Sequence, residues 1–141
     1  MCREIVAHDP DLVLLTGDYY TGEANKDGLL QEGLSPLEEI SSRCYACLGN
    51  HDMESMEVIK RCERELQAVG IRLLRDESCV HTLKDKKIHI IGFDYVSFKN
   101  PERGQRILKL LEKNPLPSDC YPKRIGFVFA ISSFFLLLLS H

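Results

Sequence analysis

Two short polar motifs, Gly17-Asp18 and Gly49-Asn50-His51-Asp52, carry side chains that can bind metal ions and transfer protons. Each motif follows an apolar stretch, residues 13–15 and 45–48, of the kind found in the strands of a parallel sheet covered on both faces. The glycine lets the backbone turn sharply where the strand ends. Because ligands of open α/β sheets bind at the carboxyl ends of strands, we expect the two loops to converge on one site.

The order and spacing of these motifs resemble the calcineurin-like metallophosphoesterases. The signature of that family reads Asp-x-His, Gly-Asp, Gly-Asn-His-Asp or Glu, a lone His and Gly-His-x-His, and this chain matches its second and third blocks. Residues 10–19 resemble the stretch that enters the Gly-Asp block in the membrane-associated, YkuE-like branch, and the similarity continues through 70–77 and 88–94. The resemblance implies an α/β fold, namely a partial calcineurin-like phosphoesterase fold in which sheet strands alternate with helices.

The family's first and last signature blocks do not occur in the 141 residues, which contain neither Asp-x-His nor Gly-His-x-His. His141 ends an apolar stretch, so it is the candidate for the lone histidine of the fourth block. We therefore expect residues 1–141 to be an internal slice of a single metallophosphoesterase domain, truncated at both ends.

The resemblance implies a hydrolase of phosphate mono- or diesters that uses a water activated by two divalent metal ions, Mn, Fe or Zn. Asp18 matches the carboxylate that bridges the two ions, Asn50 matches an amide ligand of the second ion, and His141 is carried over as a further ligand of that ion. His51 matches the histidine that stabilises the transition state and protonates the leaving oxygen, and Asp52 would orient the His51 ring. These are the expected catalytic and metal residues.

The missing blocks leave the activity of the chain in question. With most ligands of the first ion absent, we expect an incomplete metal site and turnover near background. The alternative is a non-catalytic residual or membrane-tethered product in which residues 125–139 form the anchor.

Residues 125–139 are an apolar segment with two interpretations. As a helix the segment would span about 22 Å, which is shorter than a hydrocarbon core of about 30 Å. Lys123 and Arg124 beside it are typical of the flank of a membrane anchor, so the anchor stays as an alternative. As one strand it would reach about 50 Å, which is too long for a typical element. We favour a break near Ser132 and a buried terminal strand at 134–139.

Composition limits the function classes only loosely. A net charge of −3 gives no electrostatic signal for nucleic-acid binding. No secretory signal is visible, so we expect a cytoplasmic or membrane-associated chain whose six cysteines are reduced.

Cys44 and Cys47 form a Cys-x-x-Cys motif, but it lies inside an apolar strand without a second pair, so we interpret both as core residues. The sequence indicates a phosphate-ester substrate by resemblance, and it determines neither which ester nor the oligomeric state.

The elements that must position the site alternate along the chain. Helical spacing of apolar residues and a glycine stop at Gly70 predict a surface helix over 56–69. Ser35 and Pro36 predict a short helix with a serine cap. A polar turn between the predicted strands 78–83 and 88–92 predicts that they form a hairpin. The predicted helices cover 2–8, 36–42, 56–69 and about 100–114, and the predicted strands cover 12–16, 44–48, 71–74, 78–83 and 88–92.

Overall fold

A computed structural model describes residues 1–20, 26–97 and 99–119, and the backbone of 125–127 and 136–139. Its helices are α1 (Cys2–Ala7), α2 (Leu29–Leu34), a 3-10 helix (Ser35–Arg43), α3 (Met56–Ala68) and α4 (Arg103–Lys113). Its strands are β1 (Leu12–Leu15), β2 (Cys44–Ala46), β3 (Arg72–Leu73), β4 (Glu77–Leu83), β5 (Lys86–Gly92), β6 (Ile125–Phe127) and β7 (Leu136–Leu139).

The first sheet has the strand order β3-β2-β1-β7 in the described part of the chain. Strands β1, β2 and β3 are parallel, whereas β7 pairs antiparallel with β1. Every residue of β1 and β2 is buried, as their apolar sequences predict. Val13 and Leu15 face a core shared with α1, α2, the 3-10 helix and α3, whereas Leu12 and Leu14 face the other way.

The second sheet packs against the face of the first that the helices leave open. Its order is β4-β5-β6, with β4 and β5 forming an antiparallel hairpin and β6 parallel to β5. Leu14 and Tyr45 from the first sheet pack with Cys79 and Ile90 from the second. Ile91, the next residue along β5, points away from this interface into a cluster with α4. The layers therefore run helices, sheet, sheet, helix, which confirms the predicted α/β class.

An ion-pair network ties the second sheet to the helices on both sides. Arg75 donates to Asp94 Oδ2 from Nε (3.0 Å) and Nη2 (2.6 Å), and its Nη1 lies 2.8 Å from Glu63 Oε1 in α3. Asp76 accepts the backbone N–H of Asp94 at 2.9 Å and also pairs with Arg106 of α4. Asp94 is buried, and Arg75 supplies the positive charge that pairs with its carboxylate.

One predicted helix differs in its start. The sequence predicts that Ser35 caps a helix beginning at Pro36, but Ser35 itself begins the 3-10 helix and its Oγ donates to the carbonyl of Glu32 at 2.9 Å. The reason is α2, which is absent from the predicted elements and runs directly into the 3-10 helix. The buried Glu65 of α3 holds the start of α2, because its carboxylate accepts the N–H groups of Gly28 (2.8 Å) and Gln31 (3.1 Å).

The apolar segment 125–139 contributes backbone to both sheets. Strand β6 lies beside β5, and β7, which falls within the predicted strand 134–139, lies beside β1. The predicted break near Ser132 falls outside the described residues. Among the residues that the structure describes, no helix combines the length and the apolar character needed to cross a membrane.

Cys44 and Cys47 are buried and free, as expected for core residues. Cys44 joins the helix-covered core, while Cys47 lines a small apolar void between the sheets with Leu74 and Ile90. Burial raises the pKa of the Cys44 thiol to about 11 and that of Cys47 to about 12. Both thiols are therefore neutral at pH 7, a state poorly suited to metal binding or thiol exchange.

The close approach of the sheets at Gly92 gives a test of the fold. A Cβ atom there would lie 2.4 Å from Leu74 Cβ and 2.6 Å from the Leu74 carbonyl oxygen, so Gly92→Ala must displace backbone. We expect this variant to lose roughly 1–3 kcal/mol of unfolding free energy in urea denaturation followed by circular dichroism.

Gly104→Ala is the matched control, because Gly104 is exposed on α4 and a Cβ atom added there would meet no neighbouring group within 4 Å. We expect this change to be neutral or to stabilise the protein by up to about 1 kcal/mol, since alanine favours a helix. Equal midpoints for the two alanine variants would contradict the packing of Gly92 against Leu74.

Candidate functional site

Strands β1 and β2 bring the two polar motifs to one edge of the first sheet. They are parallel neighbours, with Val13 opposite Cys44 and Leu15 opposite Ala46, so their carboxyl ends coincide. The pairing continues past β2, where the N–H of Cys47 donates to the carbonyl of Leu15 at 3.0 Å. As the sequence predicts, both loops leave the sheet at the same edge.

The two loops touch through their glycines. Gly17 has a φ of +89°, and a Cβ atom on it would lie 2.0 Å from the Gly49 nitrogen. A Cβ atom on Gly49 would lie 2.2 Å from Asp18 Oδ1. Since neither contact leaves room for a methyl group, glycine at both positions allows the loop backbones to meet.

The Asp52 carboxylate joins the loops across this contact. Asp52 is fully buried, and its Oδ2 accepts the N–H groups of Asp18 (2.7 Å) and Gly49 (2.9 Å). Its Oδ1 accepts the N–H groups of Tyr19 (2.8 Å) and Tyr20 (3.2 Å). Burial raises the pKa of the Asp52 carboxyl, and these four N–H donors act against that rise by stabilising the anion.

Asp18 faces the Asn50–Asp52 loop directly. Its Oδ1 accepts the backbone N–H of His51 at 3.1 Å, and its own backbone lies in the left-handed region with a φ of +58°. Asp18 and Asn50 are both half-buried at the sheet edge. The structure thus places the Asp18 carboxylate beside the loop that carries Asn50, the other described residue that the sequence proposes as a metal ligand.

The His51 ring has a different partner from the expected one. The resemblance implies that Asp52 orients this ring, but both Asp52 oxygens accept backbone N–H groups of the two loops. Instead, His51 Nδ1 lies 2.8 Å from Glu54 Oε1. This hydrogen bond raises the pKa of His51, and the nearby negative charge of Asp18 adds to the rise.

Tyr19 braces the strand ends below the site, a role that no sequence motif predicts. Its hydroxyl lies 3.1 Å from the Leu15 carbonyl oxygen and 3.0 Å from that of Cys47, so it bridges β1 and the end of β2. Burial raises the pKa of Tyr19 well above its ordinary value, which keeps the hydroxyl protonated as a donor. A tyrosine after Gly-Asp gives no sequence signal for such a contact, whereas Glu54 could have been noticed from its spacing of three residues from His51.

Asp18 and Asn50 supply hard oxygen donors of the kind that divalent cations bind. Within residues 1–20, 26–97 and 99–119, no three side chains of the His, Cys, Asp and Glu types come together as a metal site. His141, the third proposed ligand, lies outside the described residues. Among the described residues, Asp18 and Asn50 therefore fit a divalent cation in chemistry and provide part of a coordination sphere.

The Asp52 contacts give a direct test of how the site is built. Asp52→Ala would leave four N–H donors without their acceptor, so we expect it to lower the free energy of unfolding by at least about 3 kcal/mol. Urea denaturation measures this loss. Glu57→Ala is the control, because Glu57 is exposed and pairs across the surface of α3 with Arg61, so we expect a change below about 0.5 kcal/mol. Similar small losses in both variants would contradict the central role of Asp52.

Comparison with known proteins places the chain in a family. The family model described as calcineurin-like phosphoesterase matches residues 1–124, whereas no curated protein and no solved structure gives a significant match. The match does not resolve branches of the family, so the YkuE-like assignment stays a prediction. Since the matched residues make up most of the chain and contain both loops of the site, this protein belongs to the calcineurin-like phosphoesterase family.

Proposed function

We propose that this site serves the hydrolysis of phosphate mono- or diesters with divalent metal ions as cofactors. The family as a whole consists of metal-dependent phosphoesterases, and the reaction of this chain is our inference. The observation that carries it is the fixed juxtaposition of Asp18 with the Asn50–His51 loop, which Asp52 and the paired glycines maintain. A carboxylate, an amide and an imidazole at one sheet edge suit a site that binds a phosphate group. A turn with only a structural role would not require these side chains.

Two divalent ions, Mn, Fe or Zn, are the proposed cofactors, with Asp18 as the bridging ligand and Asn50 and His141 as ligands of the second ion. Such ions neutralise phosphoryl charge and lower the pKa of a bound water. The carboxylate of Asp18 contributes negative charge, and the neutral amide oxygen of Asn50 adds a donor without further charge. This pairing favours binding of a cation while limiting repulsion of an anionic substrate.

His51 is the proposed proton donor. Its raised pKa increases the protonated fraction of the ring at neutral pH, and a protonated ring can donate to a phosphoryl oxygen or to the leaving oxygen. Asp52 then acts on the backbone rather than on the ring, because it holds the Asp18 and Gly49 amides in place. We therefore retain Asp52 as a residue that positions the site.

We further propose that this chain binds metal weakly and turns over substrate near background. The 141 residues lack Asp-x-His and Gly-His-x-His, and the described donors are too few to hold two ions. The same shortage favours a second candidate, a non-catalytic product of this fold. Membrane tethering gains no support from 125–127 and 136–139, since both stretches are strands in the sheets.

Metal binding tests the ligand assignment. At a Mn²⁺ concentration near the dissociation constant, we expect the thermal midpoint of the chain to rise by about 1–2 °C, because the ion binds only the folded site. Asp18→Asn removes the anionic donor and should abolish this rise. The midpoint is measured by differential scanning fluorimetry with and without Mn²⁺.

Asp119→Asn is the control for this titration, because Asp119 is exposed and pairs with Lys87 on the second sheet. It should retain the wild-type response to Mn²⁺. An unchanged response in Asp18→Asn would exclude Asp18 as a ligand, and tight stoichiometric binding of two ions would show that the chain holds more donors than we propose.

Hydrolysis is the second test. With Mn²⁺ and chromogenic phosphomonoester and phosphodiester substrates, we expect the wild-type turnover to be close to that of Asp18→Ala, because the proposed site for the two metal ions is incomplete. Release of the chromophore measures the rate. Robust hydrolysis that disappears in Asp18→Ala would overturn the proposal of low activity while supporting the proposed reaction.

A further inference from the structure

Glu54 and His51 are joined by both side chain and backbone. His51 Nδ1 lies 2.8 Å from Glu54 Oε1, and the N–H of Glu54 donates to the carbonyl of His51 at 3.3 Å. The backbone contact closes a tight turn over residues 51–54. Directly after it, Ser55 caps α3, with its Oγ accepting the N–H of Val58 at 3.2 Å. The turn and the capped helix together hold Glu54 beside the ring.

We propose that Glu54 is the positioning residue of His51, which keeps the hydrogen of the neutral ring on Nδ1 and leaves Nε2 to meet the substrate. This inference rests on the proposed function for the role of Nε2. An ionised carboxylate is only an acceptor, so its partner Nδ1 must carry a hydrogen. The contact of one ring nitrogen thus determines the protonation of the other.

The assignment fits the direction of the proposed proton transfer. A protonated His51 carries hydrogen on both nitrogens, and it would give the Nε2 hydrogen to the leaving oxygen as the bond between phosphorus and that oxygen breaks. The ring is then neutral with its hydrogen on Nδ1, which is the form that Glu54 stabilises. Without Glu54 the neutral ring would revert to the Nε2-protonated tautomer that free imidazole side chains favour.

Asp52 cannot take this role in the described arrangement. Its two oxygens already accept four backbone N–H groups, and the carboxylate lies fully buried between the loops. The Glu54 side chain is 62% exposed and that of His51 is 39% exposed, so the pair lies at the mouth of the site, where a substrate could reach the ring.

The tautomer of His51 can be read directly in the intact chain. Long-range proton–nitrogen NMR correlations of the ¹⁵N-labelled protein, recorded without metal or substrate at a pH where His51 is neutral, report which ring nitrogen carries the hydrogen. We expect mainly Nδ1–H in the wild type and mainly Nε2–H in Glu54→Ala. Glu54→Gln keeps a carbonyl acceptor, so it should retain a substantial Nδ1–H population.

Glu57→Ala is the matched control, because this acid is also exposed but pairs with Arg61, and it should leave the His51 tautomer unchanged. Unaltered signals of His89, which is buried in β5, show that each variant is folded. The same His51 tautomer in Glu54→Ala and the wild type would overturn the inference.

This measurement separates the inference from the proposed function. If the tautomer depends on Glu54 but Mn²⁺ has no effect that depends on Asp18, the positioning role holds and the proposed metal chemistry fails. If Mn²⁺ stabilises the protein through Asp18 but the His51 tautomer is the same in Glu54→Ala and the wild type, the proposed metal chemistry stands and the role of Glu54 is rejected.

Discussion

A buried carboxylate that accepts four backbone N–H groups is the constraint on which the site depends. Burying the Asp52 charge alone would be costly, and the convergent amides of Asp18, Tyr19, Tyr20 and Gly49 offset that cost. Because three of these donors belong to one loop and one to the other, the loops cannot separate without leaving the charge unpaired. The relative position of the proposed ligands is therefore fixed before any ion arrives.

The strands β1 and β2 and the residues at their ends support this contact. The parallel register of β1 and β2 aligns their ends, the glycines allow the backbones to touch, and the Tyr19 hydroxyl bridges the last carbonyls. Such a rigid base favours a functional site, since donors placed in advance lose little freedom when a ligand binds. The sheets and helices around it hold the edge in shape, with Arg75 and Asp94 joining the second sheet to α3.

Membership of the phosphoesterase family and the small number of described ligands have to be considered together. The family match explains why a carboxylate, an amide and a histidine occupy adjacent strand ends. Of the three proposed metal ligands, Asp18 and Asn50 lie within the described residues and His141 lies outside them. The interactions that hold the two loops together, at Asp52, Tyr19 and the glycines, lie within the chain and require no metal.

The sequence by itself determined the local elements and the motifs. The spacing of apolar residues predicted β1, β2, α3 and the hairpin of β4 and β5. The glycine and polar residues after the strands predicted that the two loops share an edge of the sheet. Both signals depend on neighbours within a few residues, so the sequence alone carries them. The 3-10 helix was predicted with a wrong cap, since α2 before it has a weak pattern of its own.

Only the tertiary structure decided which partners the site residues have. Asp52 bonds to amides 33 and 34 positions away, and no local pattern reveals that its oxygens are occupied in this way. The His51 ring has Glu54 as its partner, with Nδ1 2.8 Å from Oε1, and this contact too is a feature of the folded structure. The packing of the second sheet on the first was likewise undetermined by sequence, because the continuous apolar runs of β1 and β2 show that both faces of each strand are covered and do not show what covers each one.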